Sequence, residues 1–284
     1  MLAKESHFLL TPWIHIHLFL FAQIFSTFFK RVAGFYMLQI ISATKYFKGQ
    51  KIFSNLDLAV GKGCFHVIVG PSGCGKSTLF DGLTGVFPLD EGSLSWNHET
   101  LLSLKDHASY MQQKDMLLPW FSLLDNALLP AKTGGQDMKK ATKQARSLFK
   151  RLGLQGYESH FASQVSGGMR QRCALVRTLM FNRDLILLDE PLSALDTITR
   201  RSLQSLLLLL QTEFKKTILM ITHDIEEALL LADEIYLFSK RPMSISRHFV
   251  LDSPKPRKFN DPTLLDIKAD VLDKLEGDLI HDQG

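Results

Sequence analysis

The sequence predicts an α/β protein built on a parallel sheet, and three observations carry that prediction. The runs His66-Val67-Ile68-Val69, Leu185-Ile186-Leu187-Leu188 and Thr217–Ile221 are short and dominated by aliphatic side chains, as strands buried on both faces are. Each breaks off at glycine, paired carboxylates or a polar residue, the chemistry expected where such a sheet ends in a binding edge. Between them lie stretches of helical periodicity, which points to strands joined by crossover helices. With 284 residues, 45% of them apolar and 22% charged, the chain matches globular composition, and this excludes a disordered or collagen-like protein.

Taken in order, residues Phe8 to Phe29 contain no Asp, Glu, Lys or Arg and are long enough to cross a hydrocarbon core of about 30 Å. Pro12, His15, His17 and Gln23 weaken that reading, because polar groups in lipid cost free energy and Pro12 interrupts a helical turn. Residues 1–36 therefore keep three readings: an upstream extension with Met37 as the working start, a membrane-associated anchor, or a cleaved signal. The first is preferred, because a β-like pattern, Met37-Leu38-Gln39-Ile40-Ile41, begins abruptly at Met37.

The three cysteines, Cys64, Cys74 and Cys173, have no metal-type spacing, so neither a disulfide scaffold nor a zinc site is expected, and a reducing compartment is the default. The net charge of +4 is unevenly spread, with +5 over residues 240–260, −5 over 261–284 and only +2 over 37–239. Such a core lacks the clustered cations of a nucleic-acid surface, and no nucleic-acid partner is expected.

The strand at His66–Val69 runs into Gly70-Pro71-Ser72-Gly73-Cys74-Gly75-Lys76-Ser77-Thr78 before an apolar helical pattern. This fits G-x-x-x-x-G-K-[ST] in its strand–loop–helix setting. Glycines let the backbone wrap a phosphate so that successive N–H groups and the positive helix end face the anion. Lys76 supplies charge to the β- and γ-phosphates, and the Ser77 hydroxyl suits Mg²⁺. Cys74, near Lys76 and a helix N-terminus, is expected to have a lowered pKa and to be alkylated unless ATP protects it.

Leu185–Leu188 delivers Asp189-Glu190-Pro191 at the strand end. Because strand side chains alternate, the two carboxylates point differently and take different tasks. Asp189 is assigned to the magnesium shell, and Glu190 polarises the attacking water as general base.

Between these sites stands Val165-Ser166-Gly167-Gly168-Met169-Arg170-Gln171-Arg172, which resembles the L-S-G-G-x-x-x-R signature of ABC-type ATPases, with Val165 in place of leucine. As chemistry, Ser166 and two glycines before the apolar helix Met169–Met180 form an N-capped helix start, a second phosphate-binding end. The resemblance implies a P-loop NTPase core over residues 37–260, with a small antiparallel β subdomain and an inserted α-helical subdomain at about 113–182. It further implies that Ser166, Gly167 and Gly168 of one subunit close over ATP held by the phosphate loop of another, hence a dimer of ATPase domains. By the same resemblance Gln113 contacts Mg²⁺ and the attacking water, Gln112 being the weaker candidate. Asp196, in Ser193-Ala194-Leu195-Asp196, lies in the loop that crosses the dimer interface, and His223 is the switch histidine that senses the γ-phosphate. Phe47 aligns with the aromatic that stacks on adenine, with Tyr46 the alternative. A cleaved secretory signal would remove such an enzyme from cytosolic ATP.

A single motor set, no charged heptad run and no set of long apolar spans leave a stand-alone ATPase subunit that docks on separate permeases. Its expected place is the cytoplasmic face of the inner membrane, with a solute-binding protein as an indirect partner. Leu117-Leu118-Pro119-Trp120 after Gln113 resembles the nitrate, sulfonate and taurine importer branch, which includes carriers of thiamine precursors. Trp120 and Phe121 are read either as anchors for a permease or as filling of the helical subdomain. Two rival functions are a non-transport ABC ATPase acting on nucleic acid and a nucleotide-dependent regulator. In the tail, Ile245–Val250 reads as a strand and Pro254-Lys255-Pro256-Arg257 as a linker. From 261 to 284, Leu264, Ile267, Val271, Leu275 and Leu279 recur at helical spacing, which predicts an amphipathic helix.

Overall fold

The computed structural model describes residues 36–193, 195–258 and 261–280, with side chains as far as 274. The apolar N-terminal run and its three readings lie outside the described residues, as do Ala194 and the side chains of Leu275 and Leu279. In chain order the first part comprises β1 (Tyr36–Phe47), β2 (Gln50–Gly61), β3 (Phe65–Val69), α1 (Lys76–Thr84), β4 (Glu91–Trp96), β5 (Glu99–Leu101) and β6 (Ala108–Met111). Then come α2 (Leu123–Thr133), α3 (Met138–Arg151) and α4 (Gly167–Met180), followed by β7 (Leu185–Asp189), α5 (Thr197–Thr212) and β8 (Thr217–Ile221). The chain continues through α6 (Ile225–Leu231), β9 (Glu234–Phe238), β10 (Ile245–Val250) and α7 (Pro262–Ile280). Among the described residues no helix is long and apolar enough to cross a membrane.

Two sheets organise these elements. One has the order β10-β9-β3-β8-β7-β6, parallel except for the antiparallel edge strand β10; the other has the order β2-β1-β4-β5, with antiparallel β1/β4 and β4/β5 pairs. Side-chain alternation in the parallel strands separates two cores. Val67, Ile186, Leu188, Ile218, Met220 and Ile235 face one core, closed by α2 to α7. Ile68, Leu185, Leu187, Leu219, Ile221 and Phe238 face the other, closed by α1 and the antiparallel sheet. Each fully buried Leu, Ile or Phe contributes about 1.5–3 kcal/mol by leaving water, so both faces must be covered. His66 takes an apolar position on the second face: it is fully buried, accepts the Gly61 N–H at 2.9 Å on Nε2, and burial lowers its pKa.

Strands β3, β8, β7 and β6 are neighbours and parallel, so their C-terminal ends share one edge. That edge receives Gly70 from β3, Asp189 and Glu190 from β7, His223 after β8 and Gln113 after β6. The helices α2, α3 and α4 pack on one another over residues 123–180.

The tail departs from its expected form. Pro254–Arg257 is strapped to the domain by two inward-facing cations and is not a free linker. Lys255 Nζ bonds Asp233 Oδ1 at 2.7 Å and Gln211 Oε1 at 2.9 Å. Arg257, 9% exposed, donates to the carbonyls of Ser253 (2.9 Å), Leu229 (3.0 Å), Leu251 (3.0 Å) and Ala232. Two of those carbonyls belong to the C-terminal end of α6, where a cation complements the helix dipole. Beyond the strap, α7 buries Leu264 and Val271 and pairs Lys268 with Glu226 of α6 at 2.7 Å.

Candidate active site

The phosphate loop follows β3 directly, and two of its glycines are sterically required. A Cβ on Gly70 would lie 2.8 Å from the Phe238 carbonyl, and Gly75, at φ +128°, would put one 2.7 Å from Ile52 Cγ2. Gly75 caps α1 without a side-chain bond, which leaves its first N–H groups for a ligand. The Lys76 ammonium lies across the loop and donates to the Gly70 and Pro71 carbonyls at 2.7 and 2.8 Å. Cys74 reverses the expectation of an activated thiol. It is 2% exposed, and desolvation raises its pKa against the opposing fields of Lys76 and Arg241.

Asp189 closes β7 at 2% exposure, and the neighbouring Ser77 hydroxyl favours its charged form, so strand and loop approach each other at these two side chains. Burial, reinforced by the nearby Glu190 and Asp81 carboxylates, pushes its pKa up to about 6 despite the Ser77 hydroxyl. Asp81, whose own pKa burial raises, accepts the Tyr110 hydroxyl at 3.2 Å. A hydroxyl, a carboxylate and an amide oxygen of Gln113 are the hard oxygen donors that Mg²⁺ takes, and Asp189 is a buried anion short of positive charge. No group of three or more His, Cys, Asp or Glu suited to a metal occurs among the described residues; Mg²⁺ commonly takes one or two carboxylates and fills the rest with phosphate and water.

The raised pKa has a consequence for stability. A carboxyl that titrates near 6 when folded and near 3.8 when unfolded binds more protons in the folded state, so stability falls as pH rises between those values. Asp189→Asn is expected to stabilise the nucleotide-free chain by about 3 kcal/mol at about pH 7.5 and by only about 1.5 kcal/mol at about pH 5. Thermal unfolding of both proteins without nucleotide or Mg²⁺ measures the gap; a pH-independent gap contradicts it.

Glu190 leaves the strand with φ +49°, so its direction comes from a left-handed backbone step and not from strand alternation. Gln113 Nε2 donates to Glu190 Oε2 at 3.3 Å, and His223 Nδ1 lies 3.4 Å from the same oxygen. Side chains that follow two neighbouring strands thus meet on the carboxylate at the end of a third. His223 is followed by Asp224, which caps α6, and Thr222 bonds the buried Glu227 at 2.7 Å.

Ser166 caps α4 by accepting the Met169 N–H at 3.3 Å, and Ser166 and Gly167 are exposed. Asp196 caps α5 by accepting the Ile198 and Thr199 N–H groups, and the Thr199 hydroxyl and N–H, with a smaller part from Ile198, hold its carboxyl below the usual range. Both helix starts face solvent within the single chain. Phe47 and Tyr46, 43% and 38% exposed, end β1; Phe47 meets Phe87 edge-on at 5.1 Å. Trp120 is 68% exposed, which argues against filling of the helical subdomain. It is displayed because buried Asn126 accepts the Leu118 N–H and donates to the carbonyls of Leu118, Phe121 and Ser122, cinching the preceding turn. Phe121 is half-buried beneath Lys132.

Sequence reasoning missed Asp81, Tyr110, Glu227 and Gln171. Gln171 alone left a trace: it shares the buried face of α4 with Ala174, Leu175 and Thr178, at spacings where an apolar residue is expected.

Comparison with known proteins identifies the family and the fold. The ABC transporter family model matches residues 53–193. The chain is 34% identical over 247 residues to the taurine import ATP-binding protein TauB of Escherichia coli O157:H7, covering 84% of this chain and 97% of that one. It is 38% identical over 198 residues to the formylaminopyrimidine import ATP-binding protein ThiZ of Halalkalibacterium halodurans, covering 70% and 77%. Among solved structures, a dimeric ATP-binding cassette in a post-hydrolysis state bound to ADP and Pi is similar at TM-score 0.70 and 28% identity, over 77% of this chain and all of that one. With the phosphate loop and acidic strand on one parallel-sheet edge and the signature opening a helix of the helical insert, the chain belongs to the ABC transporter family and is an ATPase of the P-loop α/β class.

Proposed function

We propose that this ATPase is the motor subunit of an importer, binding MgATP between two copies of itself and coupling hydrolysis to solute uptake through a separate permease at the cytoplasmic membrane face. The meeting of Gln113 and His223 on Glu190 Oε2 carries the catalytic part of this reading. With that oxygen held, the other oxygen of Glu190 is left to take a proton from the attacking water. Lys76 exchanges its loop carbonyls for phosphate oxygens, and the backbone of residues 70–78 cradles the anion. Ser77, Asp189 and Gln113 would hold Mg²⁺, whose chemistry is neutralisation of developing phosphate charge. Phe47, ahead of Tyr46, offers the ring face for adenine. Ser166, Gly167, Gly168 and Asp196 supply solvent-facing helix starts suited to a second copy's nucleotide.

The importer assignment, with nitrate, sulfonate, taurine or thiamine precursors as the solute class, draws on the Leu-Leu-Pro-Trp segment and on the import functions in the names of the two relatives. An exposed indole held on a rigid turn is the kind of anchor that dominates a docking interface. Trp120→Ala is expected to weaken co-purification with the cognate permease by about 30-fold, a loss typical of a central anchor, while the isolated chain's phosphate release stays unchanged. Undiminished co-purification rules out the docking role. A permease complex that takes up no anionic or pyrimidine-type solute on ATP addition rules out the branch.

A further inference from the structure

We infer that Gln171, in the second turn of the signature helix, is a positioning residue for Glu190, so that movement of that helix is passed to the catalytic carboxylate of the same chain. This rests on the reading of Glu190 as general base. The backbone at Glu190 has φ +49°, a conformation that β-carbon sterics make uncommon for glutamate, so its surroundings must hold it there. Its N–H donates to the Ile221 carbonyl of β8 at 3.0 Å. Its carbonyl accepts from Gln171 Nε2 at 3.1 Å, from Ser193 Oγ at 3.1 Å and from the Ser193 N–H at 3.4 Å. The switch strand, the signature helix and the dimer loop therefore all grip one residue's peptide groups.

Packing does not explain Gln171. The side chain is 6% exposed, and its Oε1 is buried without a hydrogen-bond partner. Burying a polar atom unsatisfied is unfavourable, and an aliphatic side chain at this site would avoid it. What a primary amide provides here is the donor to the Glu190 carbonyl. Because Gln171 sits one and a half turns after the Ser166 cap, a shift of the helix start moves the donor and with it the turn that aims the carboxylate. The contact lies within one chain, whereas the signature residues themselves serve a partner's nucleotide in the proposed dimer.

The test uses the full chain and separates turnover from binding. Gln171→Met keeps length and removes the donor; Ser193→Ala removes the second donor at an exposed site. Gln171→Met is expected to lower kcat about tenfold, and Ser193→Ala about threefold to fivefold, with KM for ATP within twofold of the parent. Together they are expected to lose more than the product of the single effects, because both side-chain donors serve one carbonyl and only the longer Ser193 N–H bond then remains. Glu190→Gln is the control. If it is inactive while Gln171→Met and Ser193→Ala each keep kcat within twofold, or change KM instead, Gln171 is not a positioning residue. If Gln171→Met does not fold, Ser193→Ala decides by the same criteria. If Glu190→Gln retains turnover, the base assignment itself fails and the inference falls with it.

Discussion

Glu190→Gln is expected to abolish most ATP turnover while leaving nucleotide binding intact. A general base contributes about 10²–10⁴ in rate, and the amide keeps the acceptor for Gln113 and His223 while losing the ability to take a proton. The substitution is nearly isosteric, and Glu190's backbone contacts to Ile221, Gln171 and Ser193 do not involve the carboxylate. Nucleotide affinity, measured by titration with a fluorescent ATP analogue, is therefore expected to stay close to that of the parent. Steady-state phosphate release reads the turnover. With ATP bound and not consumed, the variant should also accumulate as a dimer in size-exclusion chromatography with MgATP. Turnover within tenfold of the parent contradicts the base assignment.

The second large effect concerns stability. Arg257→Met is expected to destabilise the chain by about 3–5 kcal/mol, because it removes a buried guanidinium and leaves four carbonyls without their donor. For a domain of this size that corresponds to a fall in Tm of roughly 10 °C. Arg257→Lys is not expected to restore it, since one ammonium cannot span the fork of acceptors that the planar guanidinium reaches. Thermal unfolding of the three proteins at one concentration measures both effects. A fall of less than about 3 °C in Arg257→Met would mean that the strap is dispensable.

The parts of the site that could be read in the sequence are those whose chemistry is written in a contiguous string. Gly70–Thr78 and Ser166-Gly167-Gly168 each state a local backbone shape and a set of N–H donors, Asp189-Glu190 states a pair of carboxylates, and parallel strand order brings the first and the last to one sheet edge. The fold class was legible for the same reason, because aliphatic runs of strand length forecast a sheet covered on both faces. What could not be read depends on residues far apart in the chain. Nothing in glutamate's side chain forecasts a left-handed backbone at Glu190; that conformation is imposed by Ile221, Gln171 and Ser193. Cys74 was misjudged because sequence displays the lysine two residues away but not the burial that outweighs it. Pro254-Lys255-Pro256-Arg257 has the composition of a solvated connector, yet Asp233, Gln211 and the α6 carbonyls turn both cations inward. Trp120 stayed ambiguous because its exposure is decided by the bonds of Asn126.

The inward-facing strap and the helix after it also bear on how the protein is made. Leu264 and Val271 belong to the same core as Val67, Ile186 and Ile218, so the last part of the chain seals a layer whose other members are synthesised much earlier. At about 5–20 residues per second, Leu229 and Leu231 on α6 leave the ribosome several seconds before Val271 does. During that interval the nascent chain presents an apolar seam where the finished protein has none. A pause in synthesis after Leu231 has emerged from the ribosome and before Val271 has would prolong that exposure.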